Sequence, residues 1–346
     1  PTTGDRVVRV TVNDGDGGTS ANANVTVAVA AVNDAPVVSG AGATLAYTEN
    51  ASATVIDASL TLSDVDSNNL TGATVTISEN FQSGGEDVLA FTAASGSNIT
   101  RSFNNSTGVL TLSGTTTKAL YEQTPESVTY QNTSDNPSTS ARTITWQVND
   151  GSGANNLSSA VTSTVAVTAV NDAPTIANLG SDSFTFTEGA AATVIDQSTA
   201  AVLADVDSSN FAGGNLTVTI ASGEDSAEDV LSLSTSGTVA LASTNANANV
   251  SVGGTVVGTL TNAISAGNDL VVSLNSAATA ANVQTLVRAI TYQNTDTDNP
   301  TAGNRIVRTT INDGDGGTSA NADVTVTVAA VNDVPTIANL GSDSFT

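Results

Sequence analysis

Carboxylate and amide side chains recur at matched places along this chain of 346 residues. The acidic loops Asp64-Val-Asp66 and Asp205-Val-Asp207 each precede a strand-like segment, and an Asn-Asp pair recurs at 33–34, 171–172 and 332–333. Oxygen donors of this kind suit hard cations such as calcium, which takes about six to eight oxygen ligands. Carboxylates gathered without a cation would repel each other and raise one another's pKa. The recurring acids therefore favour cation binding.

The residue types that most catalytic sites need are missing from the sequence. The chain has no cysteine and no histidine, which excludes the usual zinc sites, Cys–His and Ser–His nucleophile pairs, and the commonest general base. Its 33 acidic and 8 basic residues give a formal net charge of −25, which repels nucleic acid and anionic membranes. We therefore expect no enzyme and no nucleic-acid partner. The simpler alternative is that the acids only keep a secreted protein soluble.

The Asn-Asp pairs belong to linkers that divide the chain into repeats. Val-Asn-Asp-Ala-Pro occurs at 32–36 and 170–174 and, with one change, at 331–335; these are the first, second and third linkers below. Residues 335–346 repeat 174–185 letter for letter. Internal repeats of this kind indicate a tandem array. The predicted parts are the end of one repeat (1–35), two complete repeats (36–173 and 174–334) and the start of another (335–346).

Strict alternation of apolar and polar residues predicts short β-strands in both complete repeats. Examples are Ala73–Ser78 and its copy Asn215–Ile220. A later strand, which ends in Asn-Asp-Gly, is predicted to bury one face. The predicted buried positions of this strand are Val8, Val10 and Val12, then Ile144, Trp146 and Val148, and finally Val307, Thr309 and Ile311. Small β-branched side chains with only 3 % aromatics suit thin β-sandwiches.

Three further segments give weaker expectations. Residues 115–121 and 278–288 carry enough Ala, Leu and Gln for a short helix or turn. The acidic pairs Glu86-Asp87 and Glu228-Asp229 are interpreted as strand-edge or solvated residues. The second repeat is longer, mostly between Leu233 and Leu286, and this excess is predicted to be a hairpin or loop excursion on the same fold. No stretch approaches the roughly 18 apolar residues of a membrane helix, and Pro1 begins within a repeat, so we expect a window of a longer protein without membrane insertion.

In this order the elements resemble a cadherin-type extracellular repeat, in particular the cadherin-like and chondroitin-sulfate-proteoglycan-like repeats of giant bacterial adhesins of the RTX type. The resemblance rests on an early Thr-Glu pair at 48–49 and 187–188, the Asp-x-Asp loop, the Asn-Asp-Gly turn, a closing Val-x-Val strand and the linker. It implies an all-β protein of tandem immunoglobulin-like β-sandwich domains in an extended rod. It also implies an extracellular location, either secreted or anchored to the cell surface.

The resemblance further implies Ca²⁺ ions at the linkers, held by both flanking repeats. For the first linker the implied ligands are Asn33, Asp34, Asp64, Asp66 and Asp150. For the second they are Glu49, Asp135, Asn171, Asp172, Asp205, Asp207 and Asp313. For the third they are Glu188, Asp296, Asn332 and Asp333. The family usually has another acid just before the Asn-Asp pair, where this chain has Ala31, Ala169 and Ala330. We therefore expect one or two ions per linker, bound with a Kd of roughly 10⁻⁴–10⁻³ M.

Three functions are compatible with these features. The first is the calcium-rigidified stalk of a giant adhesin that attaches to cells, surfaces or matrix, with neighbouring repeats of the same chain as its partners. The second is an extracellular fibre or sheath that assembles from copies of the same repeats. The third is a carbohydrate-binding module or a glycosidase, which could use paired carboxylates. The small number of aromatic residues, 4 Tyr, 7 Phe and 1 Trp, disfavours the third.

Overall fold

The structure is a computed structural model that describes residues 3–335, and the chain divides into two compact units, 1–170 and 171–346. Short β-strands are the main regular structure of both units, which confirms the all-β prediction. The boundary lies between Val170 and Asn171, three residues before the predicted one. The predicted start of a further repeat, after Pro335, lies outside the described residues. No helix within the described range is both long and apolar enough to cross a membrane.

The first unit consists of strands with two short helical segments between them. The strands are β1 Gly4–Val10, β2 Ala23–Val29, β3 Val37–Ser39, β4 Thr44–Thr48, β5 Thr54–Val55, β6 Thr61–Ser63, β7 Asn69–Glu79, β8 Asp87–Ala90, β9 Thr100–Asn104, β10 Val109–Thr117, β11 Thr129–Asn132, β12 Arg142–Asn149 and β13 Val161–Thr168. Helix α1 spans Lys118–Glu122, which overlaps the region 115–121 predicted as helix or turn, and a 3-10 turn spans Pro125–Ser127.

Two sheets of the first unit form the layers of a β-sandwich. The main sheet has the order β4-β13-β12-β7-β10-β9, and the smaller sheet has the order β5-β11-β8. Side chains of both sheets, including Trp146 from β12 and Leu89 from β8, join one buried core. The rings of Tyr47 and Tyr130 meet edge to face across the layers, with centroids 5.0 Å apart. Strands β3 and β6 form a separate two-stranded pair.

The predicted buried face of the Asn-Asp-Gly strand is confirmed where the sandwich surrounds it. Ile144, Trp146 and Val148 are buried in β12. Val8 and Val10 of the first repeat segment are each 50 % exposed, so the prediction of a buried face is wrong there, and it is wrong for Val12 at 66 %. The reason is that β1 pairs only with β2 among the described strands, and this hairpin has no second layer.

The second unit repeats this plan with more strands. They are β14 Thr175–Ala177, β15 Ser183–Thr187, β16 Thr193–Val194, β17 Val202–Ala204, β18 Asn215–Ser222, β19 Asp229–Leu233, β20 Val239–Leu241, β21 Asn249–Val252, β22 Thr255–Leu260, β23 Leu270–Leu274, β24 Ile290–Asn294, β25 Gly303–Asn312 and β26 Ala322–Ala329. Helix α2 spans Ala280–Arg288, as the sequence predicts, and the Thr279 side chain caps it by accepting a hydrogen bond from the Asn282 backbone N–H.

The extra residues of the second repeat extend its main sheet. This sheet has the order β15-β26-β25-β18-β23-β22-β21-β20, opposite the smaller sheet β16-β24-β19. Strands β20 to β22 add successive hairpins, and Val250, Val257 and Leu260 within them are fully buried. The predicted excursion is therefore a set of hairpins that contributes to the core.

Of the interpretation of the Glu-Asp pairs as strand-edge or solvated residues, the first part is confirmed for both aspartates, because Asp87 and Asp229 begin the edge strands β8 and β19, but neither aspartate is solvated. Asp87 is fully buried and forms an ion pair with the equally buried Arg142, with 3.2 Å between Nε and Oδ2. The Tyr130 hydroxyl and the Asn132 amide also donate hydrogen bonds to Asp87, at 2.5 and 2.8 Å. The second unit repeats the network with Asp229, Arg305, Tyr292 and Asn294. These donors explain how the sandwich accommodates a buried carboxylate.

Candidate cation-binding residues at the linkers

The strand order that both units share places a glutamate beside the end of each unit. Strand β4 lies parallel to β13, with Thr48 opposite Thr168. Because parallel strands end at the same edge, Glu49 lies beside the residues that lead into the second linker. The Glu49 backbone N–H donates to the Thr168 carbonyl at 2.9 Å, and its Oε2 accepts from the Val170 backbone N–H at 2.7 Å. Glu49 is thus fixed to the first residue of that linker.

The second unit has the same arrangement at its own end. Strand β15 lies parallel to β26, and the Glu188 backbone N–H donates to the Ala329 carbonyl at 3.0 Å. Glu188 Oε2 accepts from the Val331 backbone N–H at 2.6 Å. In both Glu49 and Glu188 the second oxygen, Oε1, is buried and has no hydrogen-bond partner. Each glutamate therefore holds the outgoing linker with one oxygen and leaves the other oxygen available for a cation.

Each unit also holds the linker that precedes it, through the Asn of the Asn-Asp pair. In the first unit, Asn33 Nδ2 donates to Asp150 Oδ2 at 2.8 Å. In the second, Asn171 Nδ2 donates to Asp313 Oδ2 at 2.8 Å. Asp150 and Asp313 follow β12 and β25 directly and are the second residues of the Asn-Asp-Gly turns. The predicted residues Asn33 with Asp150, and Asn171 with Asp313, are therefore in contact.

The Asp-x-Asp loops bind the second residue of the Asn-Asp pair. The Asp34 backbone N–H donates to Asp66 Oδ2 at 3.1 Å, and the Asp172 backbone N–H donates to Asp207 Oδ2 at 3.1 Å. The structure thus brings together two predicted sets, one within each unit. These are Asn33, Asp34, Asp64, Asp66 and Asp150, and Asn171, Asp172, Asp205, Asp207 and Asp313.

Several carboxylate oxygens in these sets are buried without any donor. In the second unit they are Asp172 Oδ2, Asp205 Oδ2 and Asp207 Oδ1, and in the first unit Asp64 Oδ2. Burial raises the pKa of Asp205 above its ordinary value, and the neighbouring Asp207 carboxylate raises it further. A buried anionic oxygen without a donor is costly, so this donor set fits a cation that takes oxygen ligands.

Asp313 differs from the acids of the loops because donors surround it. Its Oδ1 accepts from the backbone N–H groups of Asp315, Gly316 and Gly317, while Oδ2 faces Asn171. Burial alone would raise the pKa of Asp313, but the hydrogen bonds from Asn171 and from the turn hold it below its ordinary value. Asp313 therefore positions the linker with oxygens that are already hydrogen-bonded.

The remaining predicted residues lie in different surroundings. Asp135 is exposed. Its Oδ1 accepts a hydrogen bond at 3.0 Å from the side-chain amide of Asn50, the residue that follows Glu49. Asp296 Oδ1 accepts from the backbone N–H groups of Asp298 and Asn299, which lower the pKa of Asp296. The carboxyl group of Asp296 also contacts that of Glu228. The Asp-Asn-Pro strings at 135–137 and 298–300 make Asp298 the counterpart of Asp135 in sequence, a signal that the sequence analysis missed.

At the third linker, Asn332 Nδ2 donates to the Asp333 carbonyl at 3.1 Å. The same local hydrogen bond occurs at Asn33 and Asn171, at 3.0 and 3.1 Å. It gives the Asn-Asp pair a fixed turn in all three linkers. Both Asn332 and Asp333 are exposed in the described part of the chain.

Comparison with known proteins gives partial matches. No protein-family model matches this chain. Halomucin of Haloquadratum walsbyi (strain DSM 16790 / HBSQ001) is 38 % identical over 112 residues, which is 32 % of this chain and 1 % of halomucin. Extracellular cadherin domains 1–4 of protocadherin gamma B7 match 95 % of this chain and 59 % of that structure, at 13 % identity and a TM-score of 0.35. An endo-fucoidan hydrolase of glycoside hydrolase family 107 matches 96 % of this chain and 35 % of its own length, at 14 % identity and a TM-score of 0.20. The chain therefore spans a small part of halomucin and less than two thirds of the cadherin array.

Proposed function

We propose that this chain is part of an extracellular stalk whose repeats are stiffened by calcium at the linkers. The observation that carries the proposal is the group of buried carboxylate oxygens without donors at Asp172, Asp205 and Asp207. Each such oxygen costs about 1–3 kcal/mol when nothing compensates it. A bound Ca²⁺ ion accepts these oxygens as ligands and removes the repulsion between Asp205 and Asp207.

In this proposal the two kinds of acid have different tasks. Asp205 and Asp207, with Asp64 and Asp66 in the first unit, bind the ion directly. Asp150 and Asp313 are already hydrogen-bonded to the linker asparagines and to their own turns, so they hold the linker in place. Asp34 and Asp172 belong to the linkers, and their backbone N–H groups donate hydrogen bonds to the acidic loops.

The chain itself supplies the connection between consecutive repeats. Glu49 holds the backbone N–H of Val170, and the next two residues, Asn171 and Asp172, are held by the following repeat. We propose that the free Glu49 Oε1, with Asp135, completes the ligands of an ion at the second linker. Glu188, Asn332 and Asp333, with Asp296, have the same proposed role at the third. Without the ion, repulsion between these carboxylates loosens the linker.

The proposed role of the whole protein is mechanical. Tandem sandwiches joined by calcium-dependent linkers reach from a secreted or surface-anchored protein towards another cell, a surface or a matrix. This stalk has no catalytic function, and calcium is its only proposed cofactor. The type of repeat proposed is that of large bacterial adhesins.

Thermal unfolding tests the calcium proposal. With a Kd of roughly 10⁻⁴–10⁻³ M, 5 mM Ca²⁺ adds about 1–2 kcal/mol of stability, which raises Tm by roughly 3–8 °C relative to chelator. The double variant Asp205→Asn with Asp207→Asn keeps the shape of both side chains but removes their charges, and it should lose most of this rise in Tm. A variant with Asp5→Asn and Glu79→Gln removes two exposed charges and should keep it. Equal Tm values for the wild-type protein in calcium and in chelator would leave solubility as the role of the acids.

A further inference from the structure

Lys118, the only lysine of the chain, lies at the acidic loop of the first unit. Its Nζ donates to the backbone carbonyl of Asp64 at 2.5 Å. Asp64 is the first acid of the Asp-x-Asp loop, and its Oδ2 is one of the buried oxygens without a donor. The ammonium group therefore sits next to a proposed calcium ligand.

The fold fixes the position of this ammonium group. Helix α1 begins at Lys118, whose backbone N–H donates to the Asn68 carbonyl at 3.1 Å, just after the acidic loop. The helix packs on β6, which ends at Ser63, one residue before Asp64. The Lys118 side chain is half-buried, so the charge is held at the loop instead of moving freely in solvent.

In the second unit, helix α2 places no charged side chain at the matching position of the acidic loop. Helix α2 packs on β17, which ends at Ala204, one residue before Asp205. The helix presents the neutral Gln284, whose Oε1 accepts from the Leu203 backbone N–H at 3.1 Å. The basic residue of α2, Arg288, donates to the Ala201 carbonyl at the other end of β17. At about 3.3 Å per residue, Ala201 is roughly 13 Å from Asp205, beyond the screening length of about 8 Å at physiological salt.

We propose that Lys118 acts as a built-in counter-ion that weakens calcium binding at the first linker, so that the two linkers respond to different calcium concentrations. This inference rests on the proposed function. A positive charge held at the loop that binds a divalent ion lowers the affinity for that ion, and at a partly solvated site the effect is about three- to tenfold. Lys118 also partly neutralises the first loop in the absence of calcium. The second linker therefore stiffens at lower calcium, and the first only as calcium rises further.

Calcium titration by isothermal calorimetry tests this inference on the full chain. Asp205→Asn with Asp207→Asn removes the loop ligands of the second linker, so that the first loop dominates the signal. In that background, Lys118→Gln and Lys118→Met should each bind calcium about three- to tenfold more tightly. Lys118→Arg keeps the charge and should bind as the parent does. Arg101→Gln removes the same charge from the exposed strand β9 of the same unit and serves as the matched control, with no change expected.

The possible outcomes distinguish failure of the counter-ion role of Lys118 from failure of calcium binding itself. If neither the wild-type protein nor any variant binds calcium, both fail. If calcium binds but the neutral Lys118 variants keep the parent affinity, calcium binding stands and the counter-ion role is refuted. If Arg101→Gln tightens binding as much as Lys118→Gln, net charge explains the effect and the specific role of Lys118 is refuted. Circular dichroism verifies that each variant is folded. Because Lys118→Gln and Lys118→Met are both neutral, the test remains possible if one of them does not fold.

Discussion

Removing the Arg142 side chain should destabilise the first unit far more than removing any exposed charge. Arg142 Nε and Nη2 contact the two oxygens of Asp87 at 3.2 and 3.3 Å, and both side chains are fully buried. Arg142 Nη1 also donates to the Ser140 carbonyl at 2.7 Å. The substitution Arg142→Gln leaves a buried carboxylate without its counter-charge.

The magnitude follows from what remains around Asp87. Breaking a buried ion pair by removing one partner typically costs about 3–5 kcal/mol. Asp87 keeps three neutral donors, the Tyr130 hydroxyl, the Asn132 amide and the Gln82 backbone N–H, which places the cost near 3 kcal/mol. With a urea m-value of about 2 kcal/mol/M, the unfolding midpoint falls by about 1–2 M.

Trp146 gives a selective assay for this change. It is the only tryptophan and lies in the core of the first unit, so its fluorescence follows unfolding of that unit alone. Arg101→Gln is the matched control, because Arg101 is exposed in the same unit and its loss should shift the midpoint by less than about 0.3 M. A shift for Arg142→Gln as small as that of the control would refute the argument that the pair is costly to break. Adding Asp87→Asn to Arg142→Gln should restore part of the stability.

Four other predictions concern the linkers, the turns and the state of assembly. In metal-free buffer at pH 7, Asp205→Asn should raise Tm, because the fold raises the pKa of Asp205 and disfavours its ionised form. This gain in Tm should vanish as pH falls through that raised pKa. A gain in Tm that persists unchanged at low pH would contradict the prediction. Asp313→Asn should lower Tm at pH 7, because the fold lowers the pKa of Asp313. This loss should shrink as pH falls from about 4, where the unfolded carboxyl protonates first, through the lower pKa of the folded carboxyl. Gly223→Ala should lower Tm, because its φ is +77° and an added Cβ would lie 2.0 Å from the Asn304 carbonyl oxygen; Gly237→Ala, where that space is open, is the control. Sedimentation velocity should give one monomeric species with calcium at all concentrations, whereas concentration-dependent growth would favour the fibre.

Local patterns predicted those parts of the fold that depend on neighbouring residues. Alternation was sufficient to assign the buried face of β12, because side-chain direction in a strand depends only on residue parity. The hairpin of β21 and β22 also had a local signal, since Gly253-Gly254 separates two alternating runs, but the surrounding Ala, Ser and Asn obscured it. The burial of Asp87 was not predictable in this way. Its partner Arg142 is 55 residues away and meets it only after two sheets pack.

The linker contacts show the same division between local and distant information. The Asn-Asp pairs and the Asp-x-Asp loops are evident as repeated strings, and the structure brings their members together within each unit. The reason that Glu49 reaches Val170 is the parallel pairing of β4 with β13, which joins segments about 120 residues apart. Alternating sequence gives a strand but does not specify which neighbour it pairs with, or in which direction.

The parallel pairing of the opening and closing strands also determines how a repeat bears load. In a chain pulled from both ends, the force reaches the main sheet of the first unit at β4, after β3, and leaves it after β13, so the two parallel strands are drawn along their length in opposite directions. The five paired positions, Thr44–Thr48 against Thr164–Thr168, are then sheared together, whereas the antiparallel hairpin of β12 and β13 would unzip pair by pair if its ends were pulled. The resistance of this strand pair to force is set by the rate at which the pair unfolds, not by its equilibrium stability. The second unit has the same parallel pair in β15 and β26, so in each unit the opening and closing strands of the main sheet would resist such a pull in shear.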